Sequence, residues 1–595
     1  MQFLAALTKG RDRFMMVSNK LTPVMAALAL AGWSLMVPAP AFAQTASQVT
    51  QPSYAPPVTR PAQGGGLNVP ATSGLTAPAG ADKLFVTPSG LAVQGQLPAL
   101  QAATAKIAAT IKDKRVSGTA LFAAARALET AYVRAGYLLA RVTLPPQTLK
   151  SGMPLKLIVT LGYVERIDAS AFQGATRRRI EAVLQPLVGN HAITKGELER
   201  RLLLAGDIPG VLLKSTLKAG DTPGATELVV TGRYSPVTFS AAVDNSLGSG
   251  LGHYSASLGA NFNNTLGLGD VEYLQLGGYP GRNNNVFTGE PRNRQMVAGV
   301  TVPLSINGVW LNVEGVDSRT HPTSSLSYTL LDHYQRLSAK VGYSWIRSRN
   351  LNTSSEIGFG IENETQKLAI GGNRTNWSKD RLRVLRVTQN ANVYTRWGGV
   401  LSGSATASFG FDGLGARHGT TALPLSRSGA SPNFTKLAIS GRYSQPFAQN
   451  RVRWSLSGKA QTSFGDVMAS SEEFGVGGFD GLSAFEGGAL MGDSGAMVRS
   501  ELAFPLVLPR FGSESTLGTA VAPYVFGAAG VTSLEQPTAV EHATTYANSF
   551  GVGLRFGVSQ ADSSNGTTLM LEYAHGDQTH GPVENRFNLR WLAQF

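Results

Sequence analysis

The last ten residues, Arg586-Phe-Asn-Leu-Arg-Trp-Leu-Ala-Gln-Phe595, decide the fold of the larger part of the chain. Side chains in a β-strand point alternately to opposite faces, so a period of two marks a strand with two different surfaces. One face here is apolar, with Phe587, Leu589, Trp591, Ala593 and Phe595. The other face carries Arg586, Asn588, Arg590 and Gln594. The sequence therefore predicts a final strand between an apolar and a wet environment.

The same alternation recurs upstream of this strand, in segments of about ten residues, as far back as Pro236. Clear examples are 237–243, 296–302 and 550–558. A soluble β-sandwich alternates in the same way, but a last strand with an outward aromatic terminus resembles the assembly signal of outer-membrane barrels. In lipid only a closed barrel pairs every backbone N–H and C=O of such strands. We therefore predict a transmembrane β-barrel over 236–595, with Phe587, Trp591 and Phe595 as its assembly signal.

The barrel segment is long enough for about 16 strands. Residues 237–595 number 359. At roughly 22 residues per strand with its connection, and with the even strand numbers of bacterial barrels, this length gives about 16 antiparallel strands. A lumen of that size is wide enough for a channel unless something fills it.

Composition excludes several classes of function. Only 15% of the residues are charged, against about 25% in soluble domains, and there are 68 glycines. The absence of cysteine excludes disulfides, a thiol nucleophile and cysteine-ligated metals. The net charge of +14 comes without a basic run interleaved with aromatic residues, so no nucleic-acid partner is predicted. We interpret the basic excess as a basic lumen or a rim that faces lipopolysaccharide.

Residues 1–43 have the three parts of a secretory signal peptide. A basic stretch, an apolar run over 24–37 and Ala41-Phe-Ala43 follow one another, and we predict cleavage after Ala43. Residues 44–82 are rich in Pro, Ala, Gly, Ser and Thr, which is typical of a linker that cannot bury a core. No amphipathic helix is evident between Gln44 and Pro57.

Between the linker and the barrel, helix and strand patterns occur twice in the order β-α-α-β-β. The first copy, 83–161, begins with the predicted strand Lys83–Val86, and its second helix has Leu121, Leu128 and Tyr132 at core spacing. The second copy, 162–235, contains the capping box Thr194-x-x-Glu197 at the start of a helix. The chain is thus predicted to be mainly β, with two small α+β domains before the barrel.

Five stretches of these two copies resemble the periplasmic POTRA domains of two-partner secretion transporters. They are Tyr132-Val-Arg-Ala-Gly-Tyr137, Arg141-Val-Thr-Leu-Pro-Pro-Gln147 and Lys150-Ser-Gly152 in the first copy, and Leu203-Leu-Ala-Gly-Asp-Ile-Pro-Gly210 and Ala219-Gly-Asp-Thr-Pro-Gly224 in the second. Over roughly 83–595 the chain is similar to haemolysin and haemagglutinin secretion proteins. The resemblance implies an outer-membrane pore of a Gram-negative bacterium. Such a pore recognises an unfolded exoprotein through its POTRA domains and secretes it through the barrel.

The resemblance also implies a docking site for the N-terminal secretion domain of the exoprotein. An edge strand of a POTRA domain pairs with an extended segment of its ligand. The second helix of the first POTRA domain and the strand that starts at Leu138 would border the groove. The predicted docking residues are Leu121, Leu128, Tyr132, Tyr137, Leu138 and Gln147. Relatives have a plug helix before the POTRA domains, so 44–82 is also a candidate plug segment.

The stretch 474–493 resembles the sixth extracellular loop of this superfamily, which folds back into the lumen. The family motif Val-Arg-Gly-Phe/Tyr corresponds to Leu482, Ser483, Ala484 and Phe485, so its arginine is missing. The aspartate of the partner motif Phe-x-Asp-x-Gly is also missing, since the matching residues are Phe526, Ala528 and Gly530. Gly492 and Asp493 end the loop before the next strand.

The double loss is physically consistent. A buried charge without its partner costs about 3–5 kcal/mol, whereas replacement of both partners is close to neutral. We therefore expect no charge pair at this position, and we expect Phe485 and Phe526 to hold the loop by packing.

No catalytic set is predicted. Met491-Gly-Asp-Ser-Gly-Ala496 has the form of a serine-protease nucleophile motif, but none of the eight histidines has the Ala-Ala-His setting of that family. His575 and His580 share a loop with Asp577, whereas a metal site needs three or four converging ligands. We expect no enzyme activity, no cofactor and no metal.

The expected partners are the secreted exoprotein, outer-membrane lipid including lipopolysaccharide, and the barrel assembly machinery during biogenesis. Two alternative functions stay open. An insertase of the same superfamily usually has three or more POTRA domains, and a passive porin-like channel has none.

Overall fold

The computed structural model of the chain describes residues 44–50, 75–222, 224–324, 328–508, 517–560, 563 and 565–595. The predicted signal peptide and most of the predicted linker lie outside these residues. The described chain begins with a one-turn helix, α1 (Ala46–Val49), and continues from residue 75 with two α/β units and a barrel. None of the described helices is both long and apolar enough to cross a bilayer.

The first α/β unit is a three-stranded sheet with two helices. Its elements are β1 (Phe85–Val86), β2 (Leu91–Gln94), α2 (Gln101–Ile111), β3 (Val116–Ser117), α3 (Gly118–Arg134), β4 (Arg141–Thr143) and β5 (Leu155–Thr160). The sheet order is β2-β5-β4, with β2 parallel to β5. The predicted first strand is present as Phe85–Val86 but does not belong to this sheet. β1 pairs with β3 outside this sheet, and Pro88, which has no N–H to donate, separates β1 from β2.

The second α/β unit repeats this arrangement. It contains β6 (Tyr163–Asp168), α4 (Gly174–Leu184), α5 (Lys195–Gly206), β7 (Val211–Ala219) and β8 (Ala225–Tyr234). Its sheet order is β6-β8-β7, with β6 parallel to β8. The predicted capping box is confirmed, because the Glu197 N–H donates to Thr194 Oγ1 over 3.3 Å and the Thr194 N–H donates to Glu197 Oε2 over 3.0 Å.

The remaining strands, except β20 and β21, close into one antiparallel barrel. In order they are β9 (Val237–Asp244), β10 (Ser255–Asn263), β11 (Val271–Gly278), β12 (Asn293–Pro303), β13 (Val309–Thr320), β14 (Tyr328–Arg347), β15 (Leu351–Ile370), β16 (Asn373–Tyr394), β17 (Val400–Gly410), β18 (Phe434–Phe447), β19 (Val452–Thr462), β20 (Phe474–Gly475), β21 (Met491–Gly492), β22 (Ser494–Ala503), β23 (Leu506–Leu508), β24 (Leu517–Ser533), β25 (Thr544–Gln560), β26 (Gly566–Gln578) and β27 (Glu584–Gln594). β20 and β21 form a separate pair within a loop, and β22 with β23 is one interrupted wall strand beside β24. The predicted 16 strands are confirmed.

The last strand closes the barrel against β9 and has the two predicted faces. Phe587 and Phe595 are 58% and 56% exposed on the outer face, and Asn588 is buried on the inner one. Trp591 lies on the outer face at intermediate burial. The role of these three aromatic residues as an assembly signal stays a prediction.

The second α/β unit is attached to one end of the barrel, which we call the proximal end. Arg347 at the end of β14 forms two hydrogen bonds with Asp207, at 2.8 and 2.6 Å. Arg200 of α5 donates to the carbonyls of Asn307 and Ser344 over 2.7 and 2.8 Å. Two charged contacts thus fix the unit beside the proximal opening of the lumen.

Candidate functional site in the barrel lumen

The long loop between β19 and β22, residues 463–493, folds into the lumen. Its tip places Leu482, Ala484 and Phe485 in one buried cluster with Phe526 and Ala528 of β24. The structure therefore brings the two motifs that the sequence pairs into contact. Phe485 and Phe526 both belong to this apolar cluster, as the sequence analysis expects.

Wall glycines make room for the loop tip. A side chain at Gly576 of β26 would put its Cβ 2.6 Å from Ala484 Cβ and 2.8 Å from a Phe485 ring carbon. A Cβ at Gly530 would lie 3.1 Å from Leu482 Cδ1. The contact at Gly576 excludes any side chain unless the tip moves, and a side chain at Gly530 would require Leu482 to shift by a few tenths of an ångström.

Ser483 and Ala528 carry no charge pair, as the sequence analysis expects, but the wall buries a charge pair of its own beside them. Arg499 of β22 faces the lumen and donates to Ser483 Oγ over 3.0 Å and to the Gly481 carbonyl over 3.2 Å. Its other terminal nitrogen donates to Glu572 Oε2 over 2.5 Å, and its guanidinium lies 3.7 Å from the centre of the Phe526 ring. The arginine missing from the loop is therefore supplied by the wall.

Further wall residues complete this network. Tyr524 donates its hydroxyl to Glu572 Oε2 over 2.8 Å, and Asn588 Nδ2 donates to the Ser483 carbonyl over 2.9 Å. The Ala484 N–H donates to Ser549 Oγ over 3.2 Å. Sequence reasoning missed Arg499, Glu572, Tyr524 and Asn588, because each is one polar residue among many on the inner face of an alternating strand.

Asp493 joins three distal loops. Its buried carboxylate accepts hydrogen bonds from the Met468 N–H at 2.7 Å, from the Glu535 N–H at 2.8 Å and from Arg427 Nη1 at 2.7 Å. The adjacent Gly492 leaves no room for a side chain, since a Cβ there would lie 2.8 Å from the Ser533 carbonyl oxygen. The predicted Gly-Asp pair thus fixes the return of the loop to the wall.

Beside this carboxylate, burial raises the pKa of Glu473 to about 7, although the Arg427 guanidinium 3.1 Å away acts in the opposite direction. A carboxyl whose pKa rises on docking stabilises the docked loop below its free pKa, and this stabilisation is lost as the pH rises towards 7. We expect protection of 463–493 from hydrogen exchange to fall between pH 5 and pH 7, and Glu473→Gln to remove that fall. A pH dependence that is equal in both proteins, after correction for intrinsic exchange, contradicts the assignment.

The first seven described residues also lie inside the barrel. The helix α1 is one turn long and is closed by a capping box, in which the Gln48 N–H donates to Thr45 Oγ1 over 3.3 Å and the Thr45 N–H to Gln48 Oε1 over 3.0 Å. The assignment of 44–50 to a linker without structure is therefore wrong. A four-residue helix is too short to show a 3.6-residue period, so its pattern is invisible in the sequence.

Acidic side chains of the wall hold this helix. The Ala46 N–H donates to Asp332 Oδ2 over 2.9 Å, and the Ser47 N–H to Glu364 Oε1 over 3.2 Å. Ser318 Oγ donates to the Ala46 carbonyl over 2.9 Å. Because N–H groups at the start of a helix have no partner within it, carboxylates are suitable acceptors there. The segment occupies the lumen beside β13–β15.

Gln44 connects this segment to the long loop. Its side chain accepts a hydrogen bond from the Gly248 N–H over 2.8 Å and donates to the carbonyl of Gly487. Gln44 therefore links α1 to the long loop, and these two elements lie on different sides of the lumen.

A cavity of about 710 Å³ lies between the barrel wall, the second α/β unit and Asp480 of the long loop. Asp207, Ile208 and Pro209 of that unit line its entrance. Its wall on β15–β19 consists largely of small uncharged polar side chains, among them Ser354, Asn390, Asn392, Ser404, Ser440 and Ser457. Ser404 and Ser440 contact each other over 2.8 Å between hydroxyl oxygens.

The predicted docking residues of the first unit fall into two sets. Leu121, Leu128 and Tyr132 are at most 1% exposed and form its core, so their assignment to a binding surface is wrong. Core residues and groove residues on a helix are both apolar at the same spacing, which explains the error. Tyr137 and Leu138 are half-buried. Gln147 caps the backbone of Lys156 on β5 with two hydrogen bonds of 2.9 Å.

A family model described as haemolysin secretion/activation protein ShlB/FhaC/HecB matches residues 224–556, which is more than half of the chain. The chain belongs to this family. A second model, the ShlB-type POTRA domain, matches residues 87–162, so the first α/β unit is a POTRA domain. The predicted family and the outer-membrane location are confirmed, and the POTRA domain lies in the periplasm. The assignment of the second α/β unit as a POTRA domain stays a prediction.

Two named transporters are similar to this chain in sequence. The outer membrane transporter CdiB of Escherichia coli O6:K15:H31 (strain 536 / UPEC) is 25% identical over 450 residues, covering 73% of this chain and 72% of CdiB. The heme/hemopexin transporter protein HuxB of Haemophilus influenzae is 23% identical over 416 residues, covering 68% and 69%.

Two solved structures share the fold. CdiB from Escherichia coli matches with a TM-score of 0.66 at 20% identity, covering 89% of this chain and 93% of that one. CdiB from Acinetobacter baumannii matches with a TM-score of 0.57 at 15% identity, covering 86% and 90%. Family members are transporters that export a partner protein across the outer membrane. The proximal end of this barrel is therefore periplasmic, and its distal loops are extracellular.

Proposed function

We propose that this transporter exports an unfolded polypeptide along the serine- and asparagine-lined wall of β15–β19. The observation that carries the proposal is the cavity that opens at the second α/β unit and runs beside this wall. Small hydroxyl and amide groups, which outnumber the charged residues Glu356, Arg442 and Lys459 on this wall, offer hydrogen bonds to any extended backbone. The long loop and α1 occupy the rest of the lumen. Both therefore move aside to widen the path when a chain passes. Membership of a secretion family favours this function over an insertase or a passive porin.

Docking begins on the first POTRA domain in this proposal. The half-buried Tyr137 and Leu138 precede the edge strand β4, and an extended segment of the exoprotein adds to this edge through backbone hydrogen bonds. Gln147 satisfies the Lys156 backbone of β5 beyond the end of β4, so β4 is left as the edge that is open to an added strand.

The natural absence of cysteine allows a direct test. With an added thiol oxidant, we expect a cysteine at Ser404 or at Leu138 to form a disulfide with single-cysteine variants of the exoprotein during export. The matched control is Ser500→Cys, because Ser500 lies on the outer wall beside Trp454. The probe is the exoprotein whose secretion is lost when the gene for this transporter is deleted. Equal adduct yields at Ser404 and Ser500 contradict the path, and adducts at Ser404 without any at Leu138 contradict the docking site.

A further inference from the structure

The extracellular half of β12–β16 has a basic outer face. In the strand register Arg294 pairs with Arg319, Arg319 with His333, His333 with Thr365, and Thr365 with Lys379. The next row towards the membrane ends at Arg381, which is exposed and pairs with Asn363. We call Arg294, Arg319, Lys379 and Arg381 the outer basic cluster.

Little negative charge balances this cluster. Among the described residues that face outward on β12–β16, Asp317 is the one carboxylate. It lies 3.2 Å from Arg319 and 2.6 Å from His333. Four guanidinium or ammonium groups thus face a single carboxylate, and the face is complementary to an anion with more than one negative charge.

The cluster lies at the level of the outer-leaflet headgroups. Arg319 follows Val309, the first residue of β13 at the periplasmic end, by ten positions. Ten residues at about 3.4 Å each span about 34 Å along the strand, or about 26 Å along the membrane normal at a tilt of about 40°. The apolar band of such barrels is about 25 Å tall. The cluster therefore lies just above the apolar part of the wall.

An apolar groove lies directly below the cluster. It has a volume of about 1010 Å³ on the outer wall from β9 to β15. Leu258, Leu274, Met296 and Leu337 line it with 48–67% of their surface exposed. Gly315 lies in the middle of the groove. The space above it is open, since a Cβ placed there would meet no atom within 4 Å. The groove has the width of more than one strand and is open to hydrocarbon chains.

We propose that this outer face binds lipid A, the bisphosphorylated and multiply acylated glycolipid of the outer leaflet, with its phosphates on the outer basic cluster and acyl chains in the groove. Arginine binds phosphate through parallel N–H···O bonds, which a zwitterionic headgroup satisfies less well. A second protein copy fits less well, because such an interface would bury the uncompensated cations. The inference is independent of the proposed export path.

The test is native mass spectrometry of the detergent-purified full-length mature protein, titrated with bisphosphoryl lipid A, monophosphoryl lipid A or phosphatidylglycerol. We expect the order of affinity to follow phosphate number, with bisphosphoryl lipid A tightest. Arg294→Gln with Arg381→Gln should weaken its binding by about a hundredfold, since each charged hydrogen bond contributes about tenfold. The matched control is Arg396→Gln with Arg451→Gln, two exposed arginines in periplasmic turns.

Equal affinity for phosphatidylglycerol and lipid A overturns the proposal, and so does unchanged lipid A binding by Arg294→Gln with Arg381→Gln. A dimer that forms in place of the lipid complex also overturns it. If the double variant fails to fold, Gly315→Leu decides, because it fills the groove on an open surface. Gly315→Leu should reduce binding of lipid A, and full retention of binding contradicts the acyl-chain site.

Discussion

Replacement of Arg499 by methionine is expected to destabilise the docked loop by about 3–5 kcal/mol, because it leaves the Glu572 carboxylate buried without its cation. The variant also loses the hydrogen bonds to Ser483 and Gly481. In the folded state Glu572 is at most 1% exposed, so water cannot replace the guanidinium without a rearrangement of the loop. The measurement is the temperature at which the barrel loses its heat-modifiable mobility on a detergent gel.

The double variant Arg499→Met with Glu572→Gln is the matched control. Replacement of both partners by neutral groups of similar size is expected to recover most of the lost stability. The amide oxygen that Glu572→Gln introduces still accepts the Tyr524 hydroxyl bond, so this variant isolates the charge. Equal destabilisation in the single and double variants would show that the pair has no role in holding the loop.

Deletion of residues 44–50 is expected to open the lumen. The segment contributes two N–H groups to the adjacent carboxyl groups of Asp332 and Glu364, and a hydrogen bond contributes about 1 kcal/mol to a neutral acceptor and about 1.5–3 kcal/mol to a charged one. Loss of both contacts shifts the equilibrium between closed and open lumen by about a hundredfold. Ion conductance of the reconstituted protein in planar bilayers measures this shift.

Point variants separate the contacts from the length of the chain. Asp332→Ala with Glu364→Ala should raise the open probability in the full-length protein, although by less than the deletion. Glu356→Gln, on the inner wall but among the residues that line the open cavity, is the matched control. Conductance that stays at the wild-type level after deletion of 44–50 would show that the loop alone closes the barrel.

The wall of this protein is predictable because lipid imposes a strict rule. Each strand must alternate between side chains that face lipid and side chains that face the lumen. In the last strand every residue on the outer face, from Phe587 to Phe595, is apolar. The strand number follows from length alone, since connections in such barrels are short on one side. The two α/β units before the barrel follow from helix faces and from a capping box at Thr194 that uses local chemistry only.

The interior is less predictable, because several patterns in it have more than one physical solution. An arginine on the inner face of β22 looks the same in sequence whether it faces water or the tip of a loop, so Arg499 was not identifiable. In the sequence Gly576 looks like any other glycine in a strand, and its role is evident only from the close approach of Phe485 in the structure. Leu121 and Tyr132 show the converse, since a helix core and a helix groove have the same spacing.

The single carboxylate of Asp493 has a consequence for the cell surface. It fastens backbone or side-chain groups from three separate extracellular segments, so none of them can be released alone without leaving a buried charge short of partners. Passage of a substrate that displaces one of these segments therefore moves all three. Together the three segments form what we call the external cap. An antibody raised against the cap at rest should then lose its epitope whenever the transporter is engaged.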